Sequence, residues 1–139
     1  MNRWKALACA AAATLGISML AQSPASAATG FTFERPGARV VGKVSVSGNT
    51  VYLSGTVKDT PPGDGYCAWV RVTFHYTDSP FNRVESRKAC GAGNPAASWA
   101  WNSPSTTVSS VDVFACSGSS SAYYSFTCDD GDQVFFRWN

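Results

Sequence analysis

The chain reads as all-β, a small antiparallel β-sandwich of seven or eight short strands stapled by two disulfides. Three observations predict this. Apolar residues recur at every second position in runs separated by Gly, Pro, Asn and Asp turns at regular intervals. No helical period of useful length follows residue 27, and four cysteines remain beyond that point in a small chain. The stretch around which the rest is organised runs from Cys67 to Tyr76. There Ala68, Val70, Val72, Phe74 and Tyr76 share one face, and Cys67, Trp69, Arg71, Thr73 and His75 share the other.

The first segment is expected to be an export signal. Arg3 and Lys5 precede an uncharged apolar run from Ala6 to Ala21, and Ala25-Ser26-Ala27 supplies an Ala-x-Ala cleavage site before Ala28. The run is shorter and richer in alanine than a span of about 20 apolar residues requires. Cys9 lies at its start and leaves with it. Residues 1–27 are therefore read as signal peptide, 28–38 as an extended N-terminal arm, and 39–139 as the sandwich. Without Arg3 and Lys5, the 9 remaining Lys and Arg equal the 9 acidic residues. A neutral secreted domain offers no global field for nucleic acid or an anionic membrane, and neither is expected as a partner.

In the arm, Phe31 and Phe33 alternate around Thr32, and Pro36-Gly37 breaks the pattern. The segment suits an edge strand or arm packed on its own domain. The sharper alternative is an arm that enters a partner by strand addition, with Phe31, Thr32, Phe33, Glu34 and Arg35 as the contact. Two alternating runs follow, Val40, Val44 and Val46 in the first and Val51, Leu53 and Val57 in the second. Gly48-Asn49 between them predicts a hairpin. Pro61-Pro62-Gly63 and Gly65 then make a loop that delivers the chain to Cys67.

Beyond Pro80, Arg83 to Cys90 is a polar strand whose Arg83, Glu85 and Arg87 mark a solvated edge. After a Gly-rich turn, Ser98 to Trp101 is a short strand with Trp99 and Trp101 on one side. The run from Val108 to Cys116 sets Val111, Val113 and Ala115 against Asp112 and Phe114. The last two strands are expected over 122–128 and 134–138, joined by a hairpin turn at Asp129-Asp130-Gly131-Asp132. The whole is immunoglobulin-like in general architecture.

Cys67, Cys90, Cys116 and Cys128 allow three pairings. Cys67 with Cys90 and Cys116 with Cys128 is favoured, because each would close a short loop between neighbouring strands. No Cys-x-x-Cys spacing suggests zinc, and the Asp129 to Asp132 loop lacks the length and closing Glu of a calcium loop. His75, the only histidine, has no Gly-x-Ser-x-Gly elbow or comparable motif to serve, and Glu34 and Glu85 do not form an evident carboxylate pair. No enzyme activity, cofactor or metal is expected. Trp99 and Trp101 are read either as core or as an exposed platform for sugar rings, which gives a carbohydrate-binding module as the alternative function.

Export signal, size, cysteine number and N-terminal arm together resemble the small secreted two-disulfide β proteins of actinobacteria. In outline they are similar to the adaptor subunit of umbrella toxin particles. That resemblance implies a small β domain which docks other subunits and whose N-terminal extension enters a partner. The expected function is thus a secreted, non-enzymatic protein-binding module, an adaptor or structural subunit of an extracellular, toxin-like complex. Its partner would be another secreted protein, or a polysaccharide under the alternative.

Overall fold

The computed structural model describes residues 27–61, 65–120 and 126–136. Residues 1–26 of the expected export signal therefore lie outside it, as do residues 122–125 and 137–138 of the expected last strands. The described residues form eight strands: β1 (Thr29–Arg35), β2 (Ala38–Ser47), β3 (Thr50–Asp59), β4 (Cys67–Tyr76), β5 (Arg83–Cys90), β6 (Ala97–Pro104), β7 (Val108–Gly118) and β8 (Phe126–Phe136). They make two four-stranded sheets, in the orders β1-β2-β3-β6 and β5-β4-β7-β8, and every pairing is antiparallel. Among the described residues there is no helix long and apolar enough to cross a membrane.

Alternation places the core between the sheets. Val40, Val51, Leu53 and Val57 from the first sheet meet Val70, Val72, Phe74, Val111 and Val113 from the second, and all are essentially buried. The predicted hairpin forms as expected, with Ser47 opposite Thr50 across Gly48, whose φ of 56° suits a residue without a Cβ. Two inward positions of this hairpin are glycines that face each other, Gly42 and Gly55. They lie in one row with Phe31 on β1 and Trp99 on β6. The two flanking rings fill the space the glycines leave, since a Cβ on Gly42 would stand 2.6 Å from the Phe31 ring and one on Gly55 2.7 Å from the Trp99 ring. Phe33, Phe31, Trp99 and Trp101 thereby stack across the sheet, with successive ring centroids 5.6, 6.3 and 5.2 Å apart.

Both expected disulfides are present, Cys67–Cys90 and Cys116–Cys128. Each joins directly opposed residues on adjacent strands of the second sheet. Neither lies between the sheets. They sit on the outer face with Trp69, which is buried beside Cys67, Cys116 and Phe114 in a second apolar cluster. Lys88 lies 5.5 Å above the Trp69 ring, so β4 is covered on both faces.

Two expected boundaries are corrected. Residues 28–38 are not a separate arm ahead of the sandwich; the edge-strand reading of this segment holds, because Thr29 to Arg35 pairs residue by residue with β2 as its first strand. Phe31 and Phe33 hold it there, packed against the core. The expected turn at Asp129 to Asp132 is instead the middle of β8. β7 is 11 residues long, and a turn at that point would strand half of its outer backbone groups without a ladder. β8 follows it throughout, absorbing extra residues at two register shifts, between Val111 and Asp112 and between Ala115 and Cys116. Gly131 lies under Phe114, where a Cβ would come within 2.5 Å of the ring.

Candidate binding edge between β1 and β8

A two-sheet sandwich has two open seams, and here they are built differently. At the seam between β5 and β6, Arg83 donates from one Nη to the Asn102 carbonyl at 2.9 Å and from Nε to Glu85 at 2.7 Å. Its guanidinium also lies 5.2 Å from the Phe74 ring centre, and the Glu85 hydrogen bond raises its pKa above the ordinary value. A cation therefore ties the two sheets together there.

At the opposite seam, hydrogen bonds among the described residues close β1 and β8 at one end only. The Glu34 N–H donates to Asp130 Oδ2 at 2.5 Å, and the Arg35 guanidinium donates to the Thr127 carbonyl. From Phe33 toward Thr29 the strands part, leaving a groove of about 340 Å³ lined by Phe31, Phe33 and Val44 on one side and Asp132 and Val134 on the other. A neighbouring hollow of about 230 Å³ continues it past Thr29, Val46 and Phe135.

The Glu34 hydrogen bond also fixes the direction of the backbone. Its N–H points away from β2, so by strand alternation those of Thr32 and Gly30 do the same, whereas Phe31 and Phe33 face the β2 ladder. Among the described residues no strand pairs with β1 on that side. Edge strands are commonly blunted by charge, proline or cover. β5 carries Arg83, Glu85 and Arg87, and β6 ends on Pro104. β1 offers Gly30 and Thr32, which are exposed and uncharged.

The sequence-predicted contact Phe31 to Arg35 is therefore divided between two jobs. Phe31 and Phe33 turn inward and floor the groove, while Thr32 and Glu34 are exposed. Glu34 is bonded to Arg39 Nε at 2.8 Å on the outer surface. Trp99 and Trp101 both face the core, and Trp99 is only 5% exposed, so the expected sugar platform on this pair has no open ring face at Trp99. A surface aromatic that sequence reasoning passed over is Phe81, 80% exposed beyond β4. Ser79 fixes its turn by accepting the Phe81 N–H at 3.1 Å. An apolar residue in a short Ser-Pro-Phe-Asn turn was the available signal.

His75 pairs with Asp112 at 2.8 Å on the outer face of the second sheet. Ser109 donates to the His75 carbonyl rather than to its ring. The described cysteines are all in disulfides, which removes a thiolate nucleophile from the described surface. No group of three His, Cys, Asp or Glu side chains among the described residues is arranged to hold a metal. No protein-family model matches the chain, and no curated protein or solved structure matches it.

Proposed function

We propose that the protein is a secreted, non-enzymatic protein-binding module, an adaptor or structural subunit of an extracellular, toxin-like complex, which receives an extended segment of its partner along β1. The observation that carries this reading is the unguarded outer edge of β1 beside an apolar groove. Strand addition would use the outward main-chain groups of Gly30 and Thr32 for affinity and the groove for alternate side chains. The two disulfides are typical of an oxidising compartment and agree with an extracellular role. The outline resemblance to umbrella-toxin adaptors suggests the kind of assembly. The direction of engagement differs from that expected of a free arm: β1 stays in its own sheet and the partner's strand comes to it.

Deleting residues 28–35 is a poor test, because it strips Phe31 and Phe33 from the core. Thr32→Pro is sharper. It removes an N–H that points away from β2 and places a ring across the edge, while sparing the ladder bonds of Phe31 and Phe33. Tagged wild-type protein and the Thr32→Pro variant would be recovered from the producing culture's medium and their bound proteins identified by mass spectrometry. A stoichiometric partner present with the wild type and lost from an equally stable variant is expected. A partner retained by the variant would show that binding lies elsewhere.

A further inference from the structure

The groove also indicates what kind of strand fits it. Across the seam Glu34 stands opposite Asp130, and Thr29 and Val134 line the open end together, so β8 runs antiparallel to β1 and Asp132 faces the stretch around Thr32. Asp132 is exposed, and its Oδ1 accepts the N–H of the adjacent Gln133 at 2.7 Å. Asp130 accepts the Glu34 N–H. The ion pairs seen between described residues, Arg39 with Glu34, His75 with Asp112 and Arg83 with Glu85, do not involve either carboxylate. The rest of the lining combines apolar Phe31, Phe33, Val44 and Val134 with the uncharged polar Thr29, Thr32 and Gln133. A largely apolar trough with an acidic wall sits beside an edge that extends by main-chain pairing.

We infer that the occupant is an extended segment of a partner protein with apolar residues at alternate positions and a Lys or Arg that turns toward Asp132. This rests on the strand-accepting role proposed for β1. An acidic segment is disfavoured at the same place by repulsion from Asp130 and Asp132. The charge sets selectivity and register, while the main chain and the apolar side chains supply most of the affinity. Because the mature chain has equal numbers of acidic and basic residues, the preference comes from this wall and not from a global field.

The test is selection of random ten-residue peptides displayed against the purified protein with both disulfides intact, in parallel on wild type, Asp132→Asn and Thr32→Pro. Thermal melts confirm that each variant is folded. Wild-type pools should show alternating apolar residues with Lys or Arg enriched at one fixed position. A synthetic peptide of the leading sequence should bind Asp132→Asn about three- to fivefold more weakly, a difference that shrinks in high salt, and should not bind Thr32→Pro. Pools without a basic preference, or equal binding to Asp132→Asn, would overturn the charge inference and leave the edge reading standing. Peptides that bind Thr32→Pro unchanged, or no binder at all on the wild type, would overturn both.

Discussion

Gly42 and Gly55 decide how the aromatic residues are used. A sandwich this small with few Leu and Ile needs large rings for its core, and rings on the two outer strands of the first sheet can meet only if the strands between them carry no side chain in that row. Part of this was legible in the sequence. Val40 and Val44 skip one inward position, as do Leu53 and Val57, and each gap is a glycine. The gaps did not show which rings would fill them, because that depends on β6 pairing with β3 and not on any local pattern. Gly55→Ala is expected to destabilise the fold by about 1 to 3 kcal/mol through overpacking, since the added carbon meets the Val41 carbonyl and backbone as well as the Trp99 ring. Trp99→Ala is expected to cost about 3 to 5 kcal/mol through the cavity it leaves. Urea melts of both variants measure this. A Trp99→Ala protein as stable as wild type would return that residue to the list of surface ligands.

The same division between local and long-range signals holds for whole elements. The β2–β3 hairpin, the two faces of β4 and the charged edge β5 follow from patterns within about ten residues of one another, and they form where those patterns put them. β8 was misread for a related reason: Asp-Gly is a strong hairpin signal, but it was overridden by the need of an 11-residue neighbour for a partner. The disulfides bind these elements on the outer face, where they act as staples for the cluster around Trp69 and leave the inter-sheet core apolar. Their sequence separations are 23 for Cys67–Cys90 and 12 for Cys116–Cys128. Loop-closure entropy then gives each a contribution of about 3 kcal/mol, with the longer loop ahead by about 0.5 kcal/mol. Paired Ser substitutions should therefore destabilise the fold in that order, as read from chemical denaturation at fixed pH. A reversed order would mean that contacts around Trp69, and not chain entropy, set the difference.

At the scale of the molecule, the proposed function depends on the two seams being unlike. Arg83 bridges β5 to β6 by donating to Asn102, whereas among the described residues the seam between β1 and β8 is tied at Glu34 and Arg35 and open beyond them. This asymmetry was out of reach of the sequence, because it depends on which strands end as edges and on how β8 bulges away. It has a signature in native-state hydrogen exchange. The amides of Phe31 and Phe33 face the β2 ladder and should be protected, while those of Gly30 and Thr32 face outward and should exchange rapidly although they lie in the same strand. Glu34 should break the alternation, since its amide is bonded to Asp130, and Asp130→Ala should release it. If a partner adds its strand to this edge, Gly30 and Thr32 are the amides that gain protection in the complex, and the alternation along β1 disappears. Uniform slow exchange along β1 in the free protein would mean that the edge is already covered, and a complex in which Gly30 and Thr32 remain fast would place the partner on another surface, where Phe81 is the first residue to substitute.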